Sequence, residues 1–219
     1  MSTLSTSKIL ICIYTCKSDA SSLKKLKNSL WYKEYSKYKN IKMLECTADP
    51  DIKEESIING SQLVVKTEES YDNLSVKTYK IIKACYSNFD FDFLIKIDST
   101  FIENNHSHMG YIWSFENFEK KFLQGKFISK NYSGSVPIIN NTPESFQRWA
   151  DGKGLTINPI TFMMKCGINK FPEPYYGGKC YSLSRSYCET IIDNEDVFTY
   201  GKLHLGGCED ACIGVALNK

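Results

Sequence analysis

The most constraining feature of the sequence is an uninterrupted apolar run near its start, I-L-I-C-I-Y at residues 9–14. A strand with one solvated face alternates apolar and polar residues, whereas a strand buried on both faces does not. The run has the length of a strand, and the polar residues 15–20 end it. A doubly buried strand needs structure packed on both sides of its sheet, as in a parallel α/β sheet.

The following residues alternate between helical and strand patterns. A first helix is predicted from apolar residues at helical spacing, namely Leu23, Leu26, Leu30 and Trp31. Short apolar runs at residues 41–44 and 63–65 predict two further strands, and residues 93–97 predict a fourth. Between them, residues 74–86 predict a helix with Asn73 as its N-cap. The order predicts a mainly parallel twisted sheet flanked by helices.

Size and composition place further limits on the chain. Its 219 residues and 42% hydrophobic content suit a single α/β domain over residues 1–219. The net charge of +2 provides no strong field for binding nucleic acid. No segment approaches the ~20 consecutive apolar residues of a transmembrane helix. The 9 cysteines form no C-x-x-C pair, and we expect them to be reduced.

Four segments in a fixed order carry a resemblance. Residues 69–78 read E-S-Y-D-N-L-S-V-K-T, and residues 98–100 read D-S-T after an apolar strand. Residues 174–184 read P-Y-Y-G-G-K-C-Y-S-L-S, and residues 209–214 read E-D-A-C-I-G. The series resembles the β-1,3-galactosyltransferase and Fringe type of sugar transferase, glycosyltransferase family 31. That family has D-S-Y-x-N-L-T-x-K-T, D-D-D, P-Y-x-x-G-x-x-Y-x-L-S and E-D-V-x-x-G.

The resemblance runs from about residue 9 to the last residues and implies both a fold and an activity. The implied fold is GT-A-like, with a small mixed β region in the middle of the chain, where residues 123–127 match a family strand. The implied activity is transfer of a sugar from a UDP-sugar donor to a saccharide or glycoprotein hydroxyl, with inversion at the anomeric carbon. We expect a cytoplasmic location, because this sequence shows no signal peptide or membrane anchor, and the alternative is a Golgi lumenal domain whose anchor lies outside this sequence.

The segment at residues 98–100 departs from the family, because only the first of its three acids is present. Ligands of open α/β sheets collect beyond the carboxyl ends of the strands, where Asp98 stands. Carboxylate oxygens there can hold a divalent cation that neutralises a departing diphosphate. The resemblance therefore implies Mn²⁺ or Mg²⁺, but Thr100 occupies the family's ligand position. Either Asp98 binds the cation together with the pyrophosphate and water, or lysine or arginine side chains replace it.

The pair Glu209 and Asp210 supplies the predicted catalytic groups. Inverting transfer needs a carboxylate that takes the proton from the acceptor hydroxyl. By resemblance Asp210 is that base, and Glu209 orients it or contacts the sugar. Acids at a helix N-terminus are also explained by their interaction with the helix dipole. The family match at Gly206, Gly207 and Gly214 favours the catalytic interpretation.

The predicted donor-binding residues come from three places. Tyr176, Gly177 and Gly178 combine an aromatic surface with backbone that a ligand can approach closely. In residues 69–78, Tyr71 and Leu74 are predicted to pack. Lys77 of the same segment either points toward the donor phosphates or is a surface lysine.

The end of the first strand is the predicted nucleotide end of the site. Thr15 and Cys16 stand where the resemblance places the uracil. In the helix that follows, Trp31 matches the family, but the family's arginines are replaced by Lys24 and Asn28.

Other interpretations remain open. Loss of two acids also fits a domain that binds UDP-sugars or carbohydrates without turnover, and the donor could equally be UDP-xylose or UDP-rhamnose. A structural domain of a larger protein is a further possibility. Residues 90–92, D-F-D, precede their strand and are predicted to form a solvated loop. His106 and His108 are metal-ligand types that we assign to a surface loop.

Overall fold

The computed structural model describes residues 6–103, 105–108, 111–134, 137–138, 142–152, 154–172 and 175–219. At residues 105–108, 111–113 and 138 it describes the backbone but not the side chains. Pro174, with which the aromatic–glycine segment begins, and the side chains of His106 and His108 lie outside the described part.

The described secondary structure alternates strands and helices along the first half of the chain. The strands are β1 (Ile9–Tyr14), β2 (Ile41–Ala48), β3 (Ser56–Asn59), β4 (Gln62–Val65), β5 (Phe93–Asp98), β6 (Asn105–His108), β7 (Tyr111–Ser114), β8 (Tyr132–Gly134), β9 (Pro137–Ile138), β10 (Tyr175–Tyr176) and β11 (Cys180–Ser184). The α-helices are α1 (Ala20–Asn28), α2 (Leu30–Tyr35), α3 (Leu74–Asn88), α4 (Phe115–Leu123), α5 (Pro143–Asp151), α6 (Pro159–Cys166), α7 (Arg185–Ile192), α8 (Glu195–His204) and α9 (Glu209–Ala216). Short 3₁₀ helices cover Lys17–Asp19, Ser99–Glu103 and Lys126–Ile128.

One sheet of seven described strands organises the fold, in the order β3-β4-β2-β1-β5-β11-β8. Its central strands β4, β2, β1 and β5 run parallel, whereas β3, β11 and β8 pair antiparallel at the two edges. Two small antiparallel pairs, β6 with β7 and β9 with β10, form the additional β region. The predicted α/β architecture is confirmed, and the central parallel strands bring the ends of β1 and β5 together.

Strand β1 is buried along its whole length, as its unbroken apolar run predicts. Leu10, Cys12 and Tyr14 face a core that includes side chains of α3, α7, α8 and α9. The alternate residues Ile9, Ile11 and Ile13 face a second core, to which α1, α2 and α4 contribute. Because successive side chains of a strand point to opposite faces, a single strand contributes to both layers of the domain.

The first predicted helix is broken in the structure. Ser29 lies between α1 and α2 with an extended backbone (φ −61°, ψ 152°), and its hydroxyl accepts a hydrogen bond from the Tyr32 amide at 3.1 Å. Serine is a preferred N-cap because its oxygen satisfies an amide that lacks a helical partner. The new helix direction buries Trp31 against Phe118 and Phe122 but leaves Leu30 85% exposed. Leu30, one of the apolar residues whose spacing predicted the helix, therefore lies outside the core.

Two further local predictions need correction. Residues 123–127 do not form a strand, because α4 ends at Leu123 and Gly125 adopts a left-handed conformation (φ 67°) before a 3₁₀ turn. Asn73 does precede α3, but its side chain makes no cap hydrogen bond. The side-chain amide of Asn73 instead donates to Ser70 Oγ at 2.7 Å and to Glu68 Oε2 at 3.1 Å. These hydrogen bonds stabilise the loop before α3.

Within the part of the chain that the structure describes, no helix combines the length and apolar character that crossing a bilayer requires. All nine cysteines are free thiols, in agreement with the expectation of reduced cysteines.

Candidate active site

A pocket of about 300 Å³ opens where β5 ends and α9 begins. Three separate segments of the resemblance, at residues 69–78, 174–184 and 209–214, contribute to it together with Asp98. The lining residues are Tyr71, Leu74, Asp98, Trp149, Gly178, Lys179, Cys208, Glu209 and Asp210. The folding of the chain therefore brings the predicted catalytic pair and the predicted metal-binding acid into one cavity.

Helix α9 places the acidic pair because it is a buried helix that starts at the pocket. Residues Ala211 to Ala216 are buried, and α9 packs against α3, α8 and β10. Gly214 allows the close approach to β10, since a Cβ there would lie 2.8 Å from Tyr175 Cβ. With the rest of the helix packed in the core, Asp210 at its first turn is the partly exposed residue and faces the cavity.

Two consecutive glycines make the turn into α9. Gly206 and Gly207 have positive φ values of 53° and 75°, which L side chains rarely adopt. At Gly207 a Cβ would also collide with the backbone oxygens of Tyr71 and Asp72. The turn therefore holds the start of α9 directly against the segment at residues 69–78.

We expect Gly207→Ala to destabilise the protein more than Gly60→Ala, which is a matched control. Gly60 has a similar φ of 58°, but no atom lies within 4 Å of the place that an added methyl group would take, so this variant reports the backbone strain alone. That strain costs about 1–2 kcal/mol, and the collision at Gly207 adds about 1–3 kcal/mol. Urea unfolding monitored by circular dichroism measures both variants. Equal losses of unfolding free energy would contradict the close packing of this turn.

Lys96 is the central charged residue of the site, and it was not predicted from the sequence. It lies on β5 with its side chain fully buried. Its ammonium group contacts Asp98 Oδ1 at 2.6 Å and Glu209 Oε1 at 3.2 Å, and it donates to the carbonyl oxygen of Gly178. The rings of Tyr14 and Tyr181 lie 5.0 and 5.7 Å from the same group. Lys96 thus joins β5, α9 and the glycine turn.

The electrostatics of this buried group follow from its partners. Burial lowers the pKa of Lys96, but the carboxylates of Asp98 and Glu209 outweigh burial and hold that pKa above its usual value. Burial raises the pKa of Glu209 to about 7, because the opposing attraction of Lys96 compensates only in part. Lys96 therefore remains a cation, and its charge is shared by two acids.

Asp210 is held in a fixed orientation by donors on both carboxylate oxygens. Oδ2 accepts from the Gly178 amide at 3.1 Å, and Oδ1 accepts from the Ala211 amide at 2.9 Å and from Cys208 Sγ at 2.9 Å. Burial raises the pKa of Asp210, although these hydrogen bonds oppose the shift. A carboxylate with a raised pKa accepts a proton more readily than an exposed aspartate does.

The aromatic–glycine segment contributes to the site mainly through Gly178. A Cβ at this position would collide with the carboxylate of Glu209, so a glycine is needed for the contact between the turn and α9. The Tyr176 ring packs edge-on against Tyr132 at 4.9 Å between ring centroids and covers Gly134. Gly177 is buried. Of these three predicted donor residues, Gly178 is the one that lines the pocket.

Thr15 and Lys77 are in contact near the pocket, whereas Cys16 contacts Ser18. Lys77 is 3% exposed, and its ammonium group binds Glu69 Oε1 at 2.6 Å and the Thr15 carbonyl oxygen at 3.0 Å. The interpretation of Lys77 as a surface lysine was therefore wrong. The Thr15 hydroxyl is buried and has no hydrogen-bond partner among the described residues. Thr15 follows Tyr14, which is the strand partner of Asp98, so Thr15 and Asp98 share one sheet edge.

Tyr71 and Leu74 differ in their packing. Leu74 packs against the main core, as predicted. Tyr71 is 47% exposed and lines the pocket with its ring 6.3 Å from that of Trp149, so the prediction that it packs like Leu74 was wrong.

The donor set around Asp98 does not fit a divalent cation. Lys96 contacts Oδ1 of Asp98, and the Lys179 ammonium lies 3.6 Å from Oδ2 and 3.2 Å from the Thr100 hydroxyl. Two unit charges 4 Å apart interact by about 4 kcal/mol at an effective dielectric constant of 20, so the two ammonium groups oppose the binding of a dication and offset the attraction of Asp98. Among the described residues, no group of three or more histidine, cysteine or acidic side chains could hold a metal ion. Binding of Mn²⁺ or Mg²⁺ by Asp98 stays a prediction from the resemblance.

The D-x-D sequence at residues 90–92 lies at the opposite end of β5 from Asp98. Asp90 is exposed and pairs with Lys8, and Asp92 accepts a hydrogen bond from the Lys8 amide at 2.8 Å. This placement agrees with the prediction of a solvated loop outside the site.

Comparison with known proteins identifies the family. The family model described as galactosyltransferase matches residues 44–219, which include all four segments that meet at or beside the pocket. The chain belongs to the galactosyltransferase family. No curated protein sequence shows significant similarity to it.

Membership of the galactosyltransferase family agrees with the architecture. The helix-flanked sheet is consistent with a GT-A-like fold, and the family supports a glycosyltransferase activity. As a galactosyltransferase relative, the protein is expected to use a nucleotide-sugar donor and a glycan acceptor. Asp98, Glu209 and Asp210 all lie within the matched residues.

Several residues in or next to the pocket of this galactosyltransferase relative were not predicted as site residues. Lys179 had a usable signal, because it directly follows the predicted Gly178. Lys96 had a weaker one, as the charged residue within the otherwise apolar run F-L-I-K-I. Trp149 and Cys208 carried no signal, since nothing in their local sequence indicates that they reach the pocket.

Proposed function

We propose that the protein is an inverting glycosyltransferase that moves a sugar from a UDP-sugar donor to a saccharide hydroxyl, with Asp210 as general base. The observation that carries this proposal is the position of Asp210, which faces the pocket while three donors hold its carboxylate. Its raised pKa, caused by burial, suits proton abstraction.

The reaction assigns one role to each group. The acceptor oxygen attacks the anomeric carbon while its proton passes to Asp210. The bond between the anomeric carbon and the diphosphate oxygen breaks on the opposite side, and its electron pair leaves with UDP. Glu209 holds the ammonium group of Lys96 in place by a contact of 3.2 Å, and through Lys96 it supports the glycine turn. Gly178, whose amide donates to Asp210, keeps this base in place.

The nucleotide is proposed to bind along the sheet edge formed by the ends of β1 and β5. The buried Thr15 hydroxyl, for which the described residues offer no hydrogen-bond partner, supports this placement, because such groups usually find a partner in the functional state. Cys16 follows it and is partly exposed. Lys77 supports this end indirectly, by holding the Thr15 carbonyl.

An inactive domain that binds UDP-sugars is the second candidate function. The observation that favours it is that an ammonium group lies near each oxygen of Asp98. In a metal-dependent transferase this acid would bind the metal ion. Both candidates predict UDP binding, and turnover separates them.

Calorimetric titration with UDP, followed by a UDP-release assay with a panel of UDP-sugars, tests the proposal. We expect saturable UDP binding and release of UDP from one donor far above the others. The panel includes UDP-galactose, UDP-xylose and UDP-rhamnose. Binding without release from any donor, in the presence of varied saccharide acceptors, would favour the inactive domain. Absence of UDP binding would refute both.

A further inference from the structure

We propose that the ammonium group of Lys179 binds the diphosphate of the donor and stabilises it as a leaving group, so that the reaction needs no divalent cation. This inference rests on the proposed function. It concerns the same pocket but assigns to a side chain the role that the resemblance gives to a metal ion.

The first observation is the position of Lys179 at the end of β5. Its ammonium group lies 3.2 Å from the Thr100 hydroxyl and 3.6 Å from Asp98 Oδ2, so it bridges the first and third residues of the segment D-S-T. A cation held by the same two residues would occupy this volume. The position is therefore already filled by a positive charge that belongs to the protein.

The second observation is that the two lysines near Asp98 are not equivalent. Lys96 is fully buried, and its ammonium group is surrounded by Asp98, Glu209 and the Gly178 carbonyl oxygen. Lys179 has a side chain that is 33% exposed and lines the pocket. Its distance of 3.6 Å to Asp98 is that of an ion pair longer than a hydrogen bond. Lys179 can therefore turn toward a ligand, whereas Lys96 is confined by its contacts.

The third observation is the backbone that carries Lys179. Its carbonyl oxygen accepts a hydrogen bond from the Asp98 amide at 3.1 Å, which joins the start of β11 to the end of β5. Gly178, directly before it, is held by Asp210 and Lys96. The main chain of Lys179 is thus fixed on both sides, which places a partly exposed ammonium group on a rigid support at the pocket.

The chemistry that this charge supplies is electrostatic. When the bond between the anomeric carbon and the diphosphate breaks, negative charge develops on the departing oxygen. An ammonium group placed there stabilises the charge without exchanging a proton. Lysine is a common phosphate-binding residue and acts as a point charge.

The experiment measures UDP affinity by calorimetry in EDTA and in Mn²⁺, for the unmodified protein and for Lys179→Met, Lys179→Arg and Lys120→Met. Lys120 is an exposed lysine of α4 whose side chain is 70% exposed, and it is the control for loss of one positive charge. We expect the unmodified protein and Lys120→Met to bind UDP equally well in EDTA and in Mn²⁺. We expect Lys179→Met to bind about 10- to 100-fold more weakly, and Lys179→Arg to recover most of the loss.

Each other outcome overturns the inference in a recognisable way. UDP binding that requires Mn²⁺ would refute metal independence but leave the proposed transferase intact. Binding in EDTA that Lys179→Met leaves unchanged would remove the role of Lys179 while preserving the nucleotide site. No UDP binding under either condition would overturn the proposed function and this inference together. Circular dichroism of each variant confirms that the fold is retained.

Discussion

Replacing Asp210 with asparagine is expected to lower the rate of sugar transfer by about 10²- to 10⁴-fold, the usual contribution of a general base. Asparagine is nearly the same shape, but its one carbonyl oxygen can accept the hydrogen bonds of only one of the two carboxylate oxygens. It cannot take the proton from the acceptor hydroxyl. UDP affinity should change little, because Asp210 is assigned to the acceptor and not to the nucleotide. Steady-state UDP release and calorimetric UDP titration measure the two quantities on the same preparation.

The matched control for this prediction is Asp51→Asn, which makes the same chemical change at an exposed residue outside the pocket. We expect its transfer rate and UDP affinity to equal those of the unmodified protein. Full activity of Asp210→Asn would refute the assignment of the base. A parallel loss of UDP affinity would place Asp210 at the nucleotide instead.

Replacing Lys96 with methionine is expected to reduce the free energy of unfolding by about 3–5 kcal/mol, which is the usual cost of removing one partner of a buried ion pair. The variant leaves Glu209 without its cation and leaves Asp98 with only the Lys179 ammonium group at 3.6 Å. It also leaves the Gly178 carbonyl without its donor. Methionine fills much of the same volume as lysine, so the lost free energy of unfolding comes mainly from the missing charge and hydrogen bonds. Urea unfolding followed by tryptophan fluorescence measures it.

A double-mutant cycle separates the interaction energy of Lys96 and Glu209 from the other effects of each substitution on stability. Glu209→Gln in the Lys96→Met background removes one of the uncompensated charges. The double variant should therefore lose less free energy of unfolding than the two single variants lose in sum. The surface variant Lys120→Met should not change stability measurably, because exposed ion pairs contribute little. An unfolding free energy of Lys96→Met within about 1 kcal/mol of the unmodified protein would contradict a buried cation at this site.

The central strands were predictable because their residues are apolar on both faces. Strand β1 follows from an uninterrupted run, and β5 from a nearly uninterrupted one. Elements with weaker local patterns were missed. Strand β3 is short and half-exposed, and α8 carries a glycine and charged residues among its apolar ones. Their positions depend on packing against β4 and α3 respectively.

The site was predictable where local sequence carries the chemistry. Glu209 and Asp210 stand together in the chain, and the glycines at 206 and 207 indicate the turn before them. Asp98 follows from its place at a strand end. The exposure of Tyr71 and the hydrogen bonds of Asn73 could not be predicted, since both depend on how the loop before α3 meets neighbouring segments.

By itself the sequence determined the buried central strands, the order of the four family segments and the identity of the candidate base, because periodicity and motif spelling are local properties. Only the tertiary structure decided how the charges are distributed among Asp98, Lys96, Lys179 and Glu209. Lys96 and Glu209 are 113 positions apart, and their contact forms only when the fold brings the start of α9 to the buried side chain of Lys96 on β5. The physical reason is that a buried charge takes its properties from the groups within a few ångströms of it, and the fold alone brings those groups together.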